Sequence, residues 1–241
     1  MASWVITTTA LQHSGEKMKR TYIDPNVHVK PDGAAELEQM MEQLDKYGYS
    51  GCVILNHSDK WSPSPDIELP EGFRLFWGVE IRAESVGELT KLVGKFRSRV
   101  DLLAVHGGNE MIDRAALDNK NVEMLSHPGR MNHIMMKLAA QKEIAIEFNL
   151  FDLIHREGKF RSRSLFKMRE NLKLARKYEV QAVLTGGISS IYDVRAPMEI
   201  IALSKLIGMR EREARAGLSF VPDETFKRRR AIEGVTIINQ G

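Results

Sequence analysis

The sequence holds one cysteine, Cys52. No internal disulfide can form, and a reducing, cytoplasmic setting is expected. No apolar run approaches the roughly 18 to 20 residues that cross a bilayer, so a membrane is not expected among its partners. The first twenty residues, MASWVITTTALQHSGEKMKR, lack a charged stretch followed by an apolar one. No secretory signal is read there. There is no internal repeat and no low-complexity tract, which argues against solenoids and fibrous folds. A glycine-rich phosphate loop is also missing, because TGG at 185–187 has neither the Rossmann nor the P-loop spacing. Excess charge of one sign is nearly absent overall, since 35 Lys and Arg face 32 Asp and Glu, leaving +3. A pI near 8.9 permits a polyanionic partner without requiring one.

What is present is a globular chain of 241 residues, 43% hydrophobic and 28% charged. Residues 1–20 read as a polar N-terminal extension and 21–241 as a single domain. Seven short apolar runs follow, at 22–29, 51–57, 73–81, 101–106, 122–127, 144–150 and 180–187. Amphipathic stretches lie between most of them, at 34–47 (opened by Asp32-Gly33), 84–99, 112–118, 131–142 and 163–178. Two more helices fit 195–207 and 210–217, and GVTII at 234–238 reads as a terminal strand. Alternating strands and helices predict a parallel sheet. The strands are near-continuous apolar runs, so both faces are expected to be covered. Seven or eight such units predict an irregular, TIM-barrel-like α/β fold, with an open doubly wound sheet as the rival. The Pro-rich stretch 58–72 reads as a loop, not as a boundary.

Polar side chains recur where these strands end. His28, His57, His106 and His127 close four of them, Glu80 ends another, and Asp24 lies within the first. In a barrel they converge on one rim, where barrel enzymes keep their active sites. Histidines and carboxylates are the ligands a divalent metal needs to activate water on a phosphate ester. The competing reading is a polar rim without catalysis, because strands must leave the core somewhere.

The positive charge is concentrated. REGKFRSRSLFKMRENLKLARK, 156–177, holds nine Lys or Arg against two Glu. On a helical wheel of 163–178, Leu165, Met168, Leu172 and Ala175 share one face. Arg163, Lys167, Lys173 and Lys177 lie opposite, Arg169 and Arg176 fall on the margin, and Phe166 and Leu174 interrupt the basic side. HREGKFRSR at 155–163 reads as a loop that adds further cations and Phe160. A solvated helix face normally mixes signs. A one-signed face favours phosphate contacts through counterion release. RNA or another polyanion is therefore set against a plain solvated or protein-contact face. Smaller basic sets occur at Lys91, Lys95, Arg97 and Arg99, and at KRRR, 227–230.

YIDPNVHV, GVEIRAE, LLAVHGG and VEMLSHPGR, taken in order, resemble the ribonuclease P protein component 3 family. So do NLKLARKYEVQAVLTGGISSIYDVRAPMEIIALSKLIGM (171–209) and GLSFVPDETFKRR (217–229). The resemblance runs from about 20 to 238 and has an archaeal style. It implies a TIM-barrel-like fold related to the polymerase and histidinol phosphatase (PHP) metallohydrolases. It implies a protein subunit of ribonuclease P, which removes the 5′ leader from precursor tRNA. In that complex the RNA carries catalysis with Mg²⁺, and the protein pairs with component 2 beside the other protein subunits. No catalytic residue and no cofactor bound by the protein itself are then expected. The PHP rim is incomplete here, since Asn26-Val27-His28 stands for the usual His-x-His and IYDVR replaces a closing Asp-x-His. His28, His57, Glu80, His106 and His127 become a vestigial rim, and the alternative is a PHP-type metal-dependent phosphoesterase. The basic segment becomes the candidate RNA surface, led by Arg161, Arg163, Lys167, Lys173, Arg176 and Lys177. Arg82, Arg130 and Arg195 join it because they lie near strand ends.

Overall fold

The computed structural model describes residues 22–63, 65 and 67–220. The extension at 1–20, the KRRR cluster and the strand expected at 234–238 lie outside the described residues. The elements run β1 (Ile23–Val27), α1 (Leu37–Lys46), β2 (Gly51–Ile54), β3 (Arg74–Ile81), α2 (Val86–Phe96), β4 (Leu102–His106) and α3 (Glu110–Asp118). They continue with β5 (Met124–Ser126), α4 (His133–Lys142), β6 (Ala145–Asn149), α5 (Phe151–His155), α6 (Gly158–Lys177), β7 (Ala182–Thr185), α7 (Pro197–Ser204) and α8 (Glu211–Gly217). All seven expected strands form, and they pair in sequence order, every pair parallel. A bridge from Val27 to Ile188 brings β1 back to the chain just after β7, through Ile188 N–H to Asn26 O and His28 N–H to Ile188 O. The sheet is thus a nearly closed, seven-stranded, TIM-barrel-like structure, and the doubly wound alternative is set aside.

Two apolar cores flank this sheet. Val53, Leu55, Leu102, Ala104, Met124, Ala145 and Val183 pack together inside the barrel. A larger set, including Met40, Leu44, Leu89, Phe96, Leu103, Leu125, Met136, Phe148, Leu172 and Ile200, lies between the strands and the helices. Side chains alternate along a strand, so the next inward position after each apolar one lies nearer the C-terminal rim. There the residues turn polar: Leu55 gives way to His57, Ala104 to His106, Met124 to Ser126, Ala145 to Glu147 and Val183 to Thr185. An apolar lower layer thus carries a polar upper one.

Three helices, α2, α3 and α4, begin at a side-chain cap. Ser85 Oγ accepts from Glu88 N–H, Asn109 from Met111 N–H and Asn132 from Met135 N–H. Three expectations are corrected. Asp32-Gly33 does not open α1, which starts at Leu37; Gly33 lies so close to His28 O that a Cβ would collide with it. The loop expected at 155–163 is instead the end of α5 and the first turns of α6. Asp152 joins those two helices, accepting from Ser164 Oγ at 2.7 Å and Arg156 Nε at 2.6 Å. The helix expected at 195–207 is α-helical only to Ser204 and tightens to a 3₁₀ turn over Lys205–Ile207.

Candidate functional site

The four rim histidines meet in an arc. Ring centroids are 4.7 Å apart for His28 and His57, 5.6 Å for His57 and His106, and 4.8 Å for His106 and His127. The strand register sets this arc, since His57 bridges Glu80, and His106 lies opposite Ser126. Glu80, fully buried, is its hub: Oε1 receives His106 Nδ1 at 2.7 Å, while Oε2 lies 3.4 to 3.5 Å from the Nε2 atoms of His57 and His28. Burial raises the Glu80 carboxyl, but the His106 hydrogen bond and the charges of His127, His106 and His28 outweigh it and bring it down to about 2.

Three residues of this network escaped the reading of the sequence. Asp32 Oδ2 receives Nδ1 of both His28 (2.7 Å) and His57 (2.6 Å), and also His57 N–H. Burial pushes its carboxyl up, but hydrogen bonds from His28 and His57 win and hold it far below the usual range. Glu147 Oε1 accepts from Asn26 Nδ2, Asn149 Nδ2 and Thr185 Oγ1, and its Oε2 from His127 N–H. Asn149 also reaches His127 Nε2 at 3.3 Å. The signal for Asp32 was its spacing of four from His28. For Glu147 it was a carboxylate inside an otherwise apolar strand.

His28, His57 and Glu80, and likewise Glu80, His106 and His127, bring possible ligand atoms within 4.8 Å of one another. The hydrogen bonds decide which of these donors remain free. Asn26 Oδ1 engages His28 Nε2 at 2.9 Å, and Asn26 is itself oriented by Glu147. A nitrogen that donates to an acceptor has no lone pair left for a metal. At His127 the bond runs the other way, since Asn149 Nδ2 donates to Nε2, which spends its lone pair on it. Among the described residues of the rim, the buried atoms without a hydrogen-bond partner are His57 Nε2, Glu80 Oε2 and Ser126 Oγ. Each group of three thus contains one histidine whose Nε2 is already engaged, His28 in the first and His127 in the second, short of the three or four protein ligands of a zinc site.

The basic residues do not form one continuous surface. α6 has 20 residues, about 30 Å of helix, and runs down the outside of the barrel from the rim. Arg161 and Arg163 are exposed at the rim end, while Lys173, Arg176 and Lys177 are one to two dozen Å below. Arg176 clamps Glu213 through Nε (2.8 Å) and Nη2 (2.6 Å) and also bonds Gly208 O. Lys173 pairs with Glu170 at 2.7 Å. Lys167 is a correction to the helical wheel: the buried stripe is Ser164, Met168, Asn171, Leu172 and Ala175. Lys167 flanks that stripe and faces a pocket with His127, Glu147, Asn149 and Asp152. Burial lowers its ammonium, opposed by the charges of Asp152 and Asp113.

Arg82 is exposed just past β3, its N–H on Ser58 Oγ. Arg195 is half-buried and spends Nη1 on the backbone oxygens of Tyr192 and Val194. Arg130 is exposed in the loop between β5 and α4, with its guanidinium carbon 5.8 Å from the centre of the Phe166 ring. Outside this set, Arg97 pairs with Glu123. A groove of about 980 Å³ lies on the outside between α2, α3 and α4, away from this chemistry.

Fold and rim together define a PHP-like α/β barrel whose histidine and carboxylate rim is tied up in hydrogen bonds. Histidinol phosphate phosphatase of Lactococcus lactis, solved with zinc, L-histidinol and phosphate, shares the fold at a TM-score of 0.54 and 13% identity, over 78% of this chain and 93% of that one. The family model for RNase P subunit p30 matches residues 21–233, and the chain belongs to that family. Ribonuclease P protein component 3 of Methanosarcina mazei is 42% identical over 218 residues, 88% of this chain and 91% of that protein. A chain in the cryo-EM structure of archaeal ribonuclease P with mature tRNA superposes at a TM-score of 0.72, with 26% identity, over 90% of this chain and 98% of that one. These relatives favour the ribonuclease P reading over the phosphoesterase.

Proposed function

We propose that this protein works as a subunit of ribonuclease P that binds and supports the catalytic RNA during removal of the 5′ leader from precursor tRNA. The carrying observation is the superposition on a chain of the archaeal ribonuclease P structure over 90% of the length. The RNA supplies the chemistry with Mg²⁺, and the protein acts with component 2 and the other protein subunits in the cytoplasm. Among the described residues no helix is long and apolar enough to cross a membrane, and Cys52 is free and buried. The histidine rim serves as a hydrogen-bonded lid on the barrel core and holds no metal tightly.

RNA contacts fall on Arg161, Arg163, Lys167, Lys173, Arg176 and Lys177, with Arg82, Arg130 and Arg195 on the rim side. Arg161, Arg163 and Arg130 contribute most, because Arg176 and Lys173 already have carboxylate partners. The test is cleavage of precursor tRNA by the catalytic RNA and the other protein subunits, with and without this chain, beside the chain alone. Activity at moderate Mg²⁺ should fall when the chain is left out, and the lone chain should cut nothing. Unchanged activity on omission, or cleavage by the chain alone, would reject the assignment.

A further inference from the structure

Two aromatic side chains are exposed on the rim half of α6, Phe160 and Phe166. Phe160 is 50% exposed with its sequence neighbour Lys159 over the ring, and Phe166 is 55% exposed. Arg130 lies against the Phe166 ring from a different element, 5.8 Å from guanidinium carbon to centroid. Among the described residues the Arg130 side chain makes no hydrogen bond and no ion pair, so its donors are available.

The loop that presents Arg130 is held from both sides. Asn171, 2% exposed on α6, donates Nδ2 to Gly129 O and accepts Met131 N–H on Oδ1, both at 2.9 Å. It thus grips the residues flanking Arg130. Asp113, 1% exposed, accepts Gly129 N–H on one oxygen and Gly108 N–H on the other, both at 2.9 Å. Two buried side chains from α3 and α6 therefore fix this loop against the helix that carries Phe166. Such support is what a preorganised binding group requires.

We propose that Arg130 and Phe166 form a stacking platform for one unpaired nucleotide of RNA. This rests on the RNA-subunit reading above. The base lies on the ring face that Arg130 leaves open, and Arg130 and Arg163, one helical turn from Phe166, meet the flanking phosphates. A duplex hides its base faces, so an aromatic platform selects an unpaired base. Glu170 also lies on this side of α6, but its carboxylate is bonded to Lys173 at 2.7 Å.

The test uses the full chain with ribonuclease P RNA and the other protein subunits. Phe166→Leu keeps apolar bulk and removes the π face. Affinity for the RNA should fall roughly tenfold, with the salt slope unchanged because no charge is lost. Phe166→Trp should retain affinity, and its added indole fluorescence should be quenched on RNA binding. Wild-type affinity in Phe166→Leu, with Arg163→Glu still weakening and flattening the salt dependence, would overturn the platform and leave the RNA-subunit reading intact. No effect from either variant would sink both. Loss of another protein subunit from the complex, with RNA binding unchanged, would make this surface a protein contact and overturn the platform.

Discussion

Replacing Asp24 with asparagine should remove part of the pH dependence of stability. Asp24 is fully buried on β1, where Oδ1 accepts Asn26 N–H at 3.0 Å and Oδ2 accepts Gly186 N–H at 2.8 Å. Burial pushes its carboxyl up from 3.8 to about 7; the two backbone bonds oppose this and nearby Glu147 adds to it. In the unfolded chain the proton leaves near pH 4, and in the folded chain it stays until about pH 7. Below pH 4 both states hold the proton and the group contributes nothing. As pH rises from 4 to 7, ionisation favours the unfolded chain, and above 7 the full cost is about 4 kcal/mol. Between pH 5 and 8 the wild type should therefore lose ~2 to 3 kcal/mol relative to Asp24→Asn.

The asparagine amide cannot accept at both positions, so the variant also loses about 1 kcal/mol from a missing hydrogen bond. That loss does not vary with pH, and the quantity to read is the difference in slope. Urea denaturation of both proteins at pH 5, 6, 7 and 8 measures it. A stability difference that stays constant over this range would refute the reasoning. It would mean that Asp24 is ionised throughout, or that water reaches it.

Three further expectations follow from the rim and from α6. Asn26→His removes the amide that occupies His28 Nε2 and restores a His-x-His pair; zinc should then raise the melting temperature of the variant but not of the wild type. A wild-type protein that keeps stoichiometric zinc through dialysis would show that the engaged nitrogens are not blocked. Arg176→Ala breaks the bidentate, half-exposed pair with Glu213, so it should lower stability by about 1 kcal/mol in thermal or urea unfolding, screened as it is by solvent. Arg163→Ala should leave stability within about 0.5 kcal/mol while reducing the salt slope of RNA binding by about 0.7 to 0.9. The reverse assignment of these two effects would show that the free and the structural cations have been exchanged.

The sequence by itself determined the barrel. Each of the seven apolar runs became a strand, because a doubly covered parallel strand needs an uninterrupted apolar stretch and the helices between supply the cover. It also showed that polar residues cluster where those strands end, because the change from apolar to polar marks the chain leaving the core. The tertiary structure alone decided what those residues do. Asp32, read as a helix start, became the shared acceptor of two histidines, because its loop folds back against the backbone of His28. Asn149 became the partner of His127 Nε2 from the neighbouring strand, and Asn26, two residues from His28, is oriented onto its Nε2 by Glu147, which only the folded barrel brings near. Nine cations on 22 residues read as one patch. In three dimensions they part company: Arg163 is exposed at the rim, Arg156 pairs with Asp152, Arg161 and Arg169 bond backbone oxygens, Arg176 and Lys173 are clamped on Glu213 and Glu170, and Lys167 turns toward the barrel mouth. Charge is a property of residues in sequence. Whether that charge is free depends on carboxylates brought beside it from elsewhere in the chain, and only the fold places them.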